Sequence, residues 1–113
     1  RVIVIDDSLV RGTTSKKIVS MLRRAGAGEI HFRIASPPVV GPCHYGIDTP
    51  TKEELIANKF SLDEIKNFIG ADSMRYLSLE GLRKCVRNAS EFCDACFSGV
   101  YPLVFEERLL RSC

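Results

Sequence analysis

The chain opens Arg1-Val-Ile-Val-Ile-Asp-Asp-Ser-Leu-Val-Arg-Gly-Thr-Thr-Ser15, and the order of residue types along it predicts an architecture. Val2-Ile3-Val4-Ile5 is a β-branched apolar run, bounded by polar residues and too short for a buried helix. Such a run predicts a parallel strand covered on both faces. Asp6 and Asp7 stand where the strand should end, Ser8 to Ser15 form a short turn, and an amphipathic helix follows. Strand, acid pair, hydroxyl-rich turn and helix together predict an open α/β sheet, in which ligands bind at the carboxyl ends of the strands. The turn suits a phosphate. Gly12 lets the backbone approach closely, Thr13, Thr14 and Ser15 offer hydroxyl and amide hydrogens, and a helix N-terminus favours an anion. Arg11 adds a fixed positive charge, while Asp6 and Asp7 suit Mg²⁺ or sugar hydroxyls. The stretch is neither a Walker A loop nor a G-x-G-x-x-G turn, because Gly12 stands alone and no Gly-Lys-Ser/Thr follows. Acid-ended strands also occur in doubly wound proteins that bind no sugar phosphate, so residue types alone leave the ligand open.

The totals bound the rest. A length of 113 residues allows one domain at most, and 45% hydrophobic with 27% charged residues is the balance of a globular protein. Sixteen Lys and Arg against fourteen Asp and Glu give a net charge of +2, too slight to argue for nucleic acid or an anionic membrane. No apolar run approaches the length of a membrane span, and no secretory signal is visible. Five cysteines, odd in number and unevenly spaced, fit metal or free thiols better than a disulfide framework. The chain has no initiator Met and opens inside a strand, with two or three further strand candidates behind it. The expectation is a fragment of a longer protein, inactive by itself.

Past the turn, Ser15 to Ala25 predicts a helix with Ile18, Val19, Leu22 and Ala25 inward and Lys16, Lys17, Arg23 and Arg24 outward. The four basic residues read as a solvated face, and Gly26 as the stop. Glu29 to Ala35 alternates Ile30, Phe32 and Ile34 against His31 and Arg33, a second strand that completes a right-handed βαβ unit. His31 reads as a strand-face residue. Ser36 to Pro50 is a loop too long for an ordinary connector, holding Cys43, His44 and Tyr45. Two short helices follow, each opened by a capping box, Thr51 with Glu54 and Ser61 with Glu64, and Gly70 ends the run. Met74 to Leu77 is a brief strand candidate. Ser78 caps a helix through Val86 with Leu79, Leu82 and Val86 inward, and Cys85 reads as a small buried hydrophobe. Phe92-Cys-Asp-Ala-Cys96 can present two thiolates to one metal, a pattern shared by zinc knuckles, redox motifs and clusters. Cys43 makes a third. From Val104 the tail is read as a terminal helix in which Cys113 is incidental.

The opening motif, four apolar residues, two acids and a Gly/Thr loop, resembles the phosphoribosyl-diphosphate-binding motif of type I phosphoribosyltransferases. Arg11-Gly12 replaces the Thr-Gly of most of that superfamily. The form Asp-Asp-Ser-x-Val-Arg-Gly-Thr-Thr-Ser-Lys is similar to one branch, the glutamine phosphoribosyl-diphosphate amidotransferases. The resemblance continues through Ile34-Ala-Ser-Pro-Pro38, Pro42-Cys-His-Tyr-Gly-Ile-Asp48, Thr51-Lys-Glu-Glu-Leu-Ile-Ala57 and Phe92-Cys-Asp-Ala-Cys96. It reaches to about Pro102 and lapses in the tail.

The resemblance implies a type I phosphoribosyltransferase fold, an open and mostly parallel sheet flanked by helices, of which the C-terminal part is present. Residues 1–36 would be the diphosphate-sugar-binding βαβ unit and 37–113 a helical, cluster-binding segment. A glutaminase domain with an N-terminal Cys nucleophile would lie upstream. Asp6 and Asp7 would serve Mg²⁺ and the ribose hydroxyls; Ser8, Leu9, Val10, Arg11, Gly12, Thr13 and Thr14, with Ser15 beside them, would cradle the 5-phosphate. Cys43, Cys93 and Cys96 match three ligands of a structural [4Fe–4S] cluster whose fourth ligand would be upstream. No general base is assigned. The implied parent enzyme transfers glutamine-derived ammonia to 5-phosphoribosyl 1-diphosphate, giving 5-phosphoribosylamine, diphosphate and glutamate in the first committed step of purine synthesis. It would be a cytoplasmic or plastid homo-oligomer, a tetramer, inhibited by purine nucleotides and without nucleic-acid or membrane partners. The rivals are a non-catalytic phosphoribosyl-diphosphate-binding regulator, another type I phosphoribosyltransferase, and a structural metal-binding module.

Overall fold

A computed structural model describes residues 1–103. Three parallel strands form one sheet in the order β1-β2-β3: β1 (Val2–Asp6), β2 (Ile30–Ile34) and β3 (Ser73–Tyr76). Helix α1 (Thr13–Arg24) connects β1 to β2, and α2 (Leu62–Ile69) precedes β3. Two 3-10 turns, Lys52–Glu54 and Ile56–Asn58, end the long loop after β2. Two short helices, α3 (Leu79–Lys84) and α4 (Ala95–Ser98), follow the sheet. The expected terminal helix and Cys113 lie outside the described residues.

The central strand carries the core. Ile30, Phe32 and Ile34 are almost completely buried on the face that receives Val19 of α1, Ile65 and Ile69 of α2, and Met74 of β3. Each such side chain removed from water stabilises the fold by about 1.5–3 kcal/mol. The opposite strand face bears His31 and Arg33, and His31 is held there by Ser73 Oγ at 2.7 Å and Glu29 Oε1 at 3.0 Å. These bonds make it a structural residue, as the strand alternation predicted.

The capping signals are realised. Glu64 accepts from the Ser61 backbone N–H at 2.8 Å, and the Gly70 backbone is left-handed at the end of α2. Glu54 reaches back to the Thr51 backbone N–H at 3.1 Å, although the turn it opens is a 3-10 turn and not an α-helix. Ser78 Oγ accepts from the Gly81 N–H at 2.9 Å and starts α3.

Among the described residues the helices pack on the Val4 side of β1, and Ile3 and Ile5 on its other face are 66% and 75% exposed. Two expectations are corrected. Helix α3 stops at Lys84, so Val86 is exposed instead of inward. Cys85 is likewise an exposed thiol that donates to the Gly81 carbonyl, a local bond available without burial.

Candidate functional site

At the carboxyl end of β1 the chain turns through Asp7–Gly12 into α1, and this turn is shaped from below. Leu9 is buried in the core, so its side chain anchors the loop and only its backbone remains for a ligand. The Val10 carbonyl accepts from the Ile56 N–H at 2.9 Å, which ties the loop to the second 3-10 turn. Gly12 sits at φ +75°, a left-handed conformation that costs glycine little and other residues more. A Cβ there would also meet Ile56 Cδ1 at 2.9 Å and the Phe68 ring at 3.3 Å. The position therefore requires glycine for both backbone and space.

The helix begins at Thr13, two residues earlier than the sequence predicts, with Gly12 as its N-cap and no side-chain capping bond. A side chain that capped this end would occupy the first-turn amides; here they remain directed at the loop, where the helix dipole favours negative charge. Thr13 and Thr14 are exposed beside them, and Ser15 is buried. Asp6 and Asp7 close the other side. The Asp7 N–H donates to Asp6 Oδ1 at 3.1 Å and Ser8 Oγ donates to Asp7 Oδ1 at 3.1 Å. All ten residues from Asp6 through Ser15 line one open cavity of about 280 Å³.

Arg11 points away from a purely local role. Its Nη2 and Nε lie 2.9 and 3.3 Å from Glu54 Oε1, a two-nitrogen latch onto the carboxylate that also receives Thr51. The Thr51 backbone N–H, and then Arg11, hold the Glu54 carboxyl below the usual carboxylate range. Sequence reading found Glu54 as a capping residue but missed this second partner, because nothing in the spacing couples it to Arg11.

Cys43 and the Cys93–Cys96 pair, far apart along the chain, come together on a second cavity of about 450 Å³ that also touches Ser8 and Val10 of the loop. All three are free thiols. The Tyr45 N–H donates to Cys43 Sγ at 3.4 Å, and the Cys43 N–H donates to Thr49 Oγ1 at 2.7 Å. Burial, and then the neighbouring Cys43, push the Cys96 thiol up. Asp94, between the paired cysteines, is gripped by Arg83 Nε at 2.8 Å and Nη2 at 2.7 Å. No three His, Cys, Asp or Glu side chains among the described residues converge closely enough for a single metal ion.

No family model matches the chain. Curated relatives do. It is 58% identical over 104 residues to amidophosphoribosyltransferase 1, chloroplastic, of Arabidopsis thaliana, covering 91% of this chain and 18% of that protein. With the amidophosphoribosyltransferase of Bacillus subtilis it shares 51% identity over 97% of this chain. The chain belongs to the amidophosphoribosyltransferase family. Its structure agrees: a solved glutamine phosphoribosylpyrophosphate amidotransferase from B. subtilis, complexed with ADP and GMP, superimposes with a TM-score of 0.83 at 53% identity over 95% of this chain. The fold is thus the type I phosphoribosyltransferase fold. The chain spans about a fifth of its curated relatives, 18% of the Arabidopsis and 24% of the B. subtilis amidophosphoribosyltransferase. Among the described residues no helix is long and apolar enough to cross a membrane.

Proposed function

We propose that this chain supplies the phosphoribosyl-diphosphate site of an amidophosphoribosyltransferase that forms 5-phosphoribosylamine at the start of purine synthesis. The observation that carries the reading is the cavity walled without interruption by Asp6 through Ser15, with the uncapped end of α1 on one side and two carboxylates on the other. The 5-phosphate would lie against the Thr13 and Thr14 amides and hydroxyls, where the dipole and donors favour an anion. Asp6 and Asp7 would hold Mg²⁺ and the ribose hydroxyls; their all-oxygen donor set suits a hard cation. Bound Mg²⁺ supplies neutralisation of the diphosphate charge.

In the reaction so inferred, ammonia released from glutamine elsewhere in the longer protein attacks C1 of the ribose. The C1–N bond forms as the C1–O bond to diphosphate breaks, the electron pair leaves with diphosphate, and the new ammonium group loses a proton. Leu9 and Gly12 fix the loop so that phosphate and ribose are held at one separation, which converts binding into orientation. Ammonia is nucleophilic without help, consistent with the absence of an assigned general base.

Cys43, Cys93 and Cys96 line one cavity, and three thiolates there with a fourth from elsewhere in the longer protein would make the ligand set that a [4Fe–4S] cluster takes. The Tyr45 amide donating to Cys43 Sγ is the kind of bond that stabilises a metal-bound thiolate. Cys43, Cys93 and Cys96 would supply three ligands and the longer protein the fourth, and the bound cluster serves as a structural tie. Feedback by purine nucleotides, a tetrameric assembly and residence in cytoplasm or plastid complete the reading.

The test is binding of phosphoribosyl diphosphate with Mg²⁺ to the full-length protein. Protection against thermal unfolding is expected. An unchanged transition at saturating ligand would refute the site.

A further inference from the structure

The two cysteine-bearing segments are joined by contacts that owe nothing to metal. The Cys96 carbonyl accepts from two consecutive amides, Val40 N–H at 2.8 Å and Gly41 N–H at 3.1 Å. Beyond the cysteine pair, Tyr101 folds back, and its hydroxyl donates to the Pro42 carbonyl at 2.7 Å. Its ring lies 5.1 Å from the His44 ring and 6.5 Å from the Tyr45 ring, the two residues that directly follow Cys43. Gly41 has an ordinary backbone conformation, yet a Cβ there would collide with the Tyr101 phenol oxygen. Glycine is needed at this position for space alone: the ring rests directly on the main chain next to Pro42. Tyr101 also lines the cavity that the three cysteines share.

We propose that Tyr101 is a positioning residue that assembles the three cysteine ligands, pinning the Cys43 loop to the Cys93–Cys96 turn before any cluster is loaded. The inference rests on the cluster reading given above. Its physical basis is ordering. The loop from Ser36 to Pro50 lacks helix or strand, so holding Cys43 in one place costs conformational entropy. If that cost fell at the moment of loading, it would weaken binding; a loop already clamped by protein contacts bears it on folding instead. Tyr101 and Gly41 form the clamp, and neither touches the phosphate loop cavity.

The experiment uses the full-length protein, purified without oxygen, as wild type, Tyr101→Phe and Gly41→Ala. Iron per chain and the visible absorbance of the cluster are read first. Then the metal-stripped protein is reconstituted with ferrous iron and sulfide, and absorbance loss is followed in air. Tyr101→Phe keeps the ring and loses one hydrogen bond, so reconstitution should slow and air loss quicken by about three- to tenfold, the range one neutral bond carries. Gly41→Ala displaces the ring and should show a larger effect of the same sign, with the circular dichroism of the protein unchanged. Loading and loss indistinguishable from wild type in both variants would overturn the clamp while leaving the cluster standing. An iron-free wild-type protein would overturn the cluster reading and the clamp with it.

Discussion

Gly12 is the position at which fold and site are most tightly joined, and Gly12→Ala should fail for two separable reasons. Its φ of +75° costs an L-residue about 1–2 kcal/mol. The new Cβ at 2.9 Å from Ile56 Cδ1 and 3.3 Å from the Phe68 ring adds overpacking of about 1–3 kcal/mol. Together these come to about 2–5 kcal/mol against an ordinary stability of about 5–15 kcal/mol. Ile56→Val separates the two, because it deletes Cδ1, the atom in closest conflict. Alone it should cost about 0.5–1.5 kcal/mol. In that background Gly12→Ala should cost little beyond the backbone term, about 1–2 kcal/mol, with Phe68 contributing the remainder. The assay is thermal unfolding of the full-length protein and its three variants. For a cooperative unit of 150–250 residues each kcal/mol moves Tm by about 2–4 °C. The expected loss is therefore about 4–20 °C for Gly12→Ala alone and about 2–8 °C when it is added to Ile56→Val. Equal losses in both backgrounds would refute the steric argument, and a loss under about 2 °C would refute the left-handed conformation itself.

Three further outcomes follow from the same geometry. Asp6→Asn and Asp7→Asn should weaken Mg²⁺-dependent binding of phosphoribosyl diphosphate by about 10- to 100-fold in calorimetry, the range of charged hydrogen bonds, with little change in Tm. Undiminished affinity in both would remove them from the site. The Glu54 carboxyl should titrate below the ordinary range by NMR, and Arg11→Met should move it only part of the way back, because the Thr51 amide is the larger cause. Its folded pKa is depressed, so the stabilisation it gives is present above the ordinary carboxylate pKa and is lost as pH falls through the lowered value. Asp94 is held low first by Arg83 and then by Ser98, so Arg83→Met should raise its titration; an unmoved Asp94 resonance would contradict the pairing.

Much of the fold was legible because its determinants are local. The run Val2 to Ile5, the alternation of Ile30, Phe32 and Ile34, and the capping residues Ser61, Ser78 and Gly70 act within a few residues of themselves, where spacing encodes the contact. The exposure of Cys85 and Val86 was not legible, since the apolar spacing continues past Lys84 while the helix does not.

The site divides along the same line. By itself the sequence determined the acid pair, the single glycine and the hydroxyls of the opening loop, because these are consecutive and a backbone turn must bring consecutive residues to one place. It also determined that three cysteines were available. Only the tertiary structure decided that Arg11 latches onto Glu54, that Ile56 and Phe68 leave Gly12 no room for a side chain, and that the Tyr101 hydroxyl reaches the Pro42 carbonyl. Those contacts join residues far apart along the chain. Their partners are chosen by how the elements pack, and no short-range pattern records that choice.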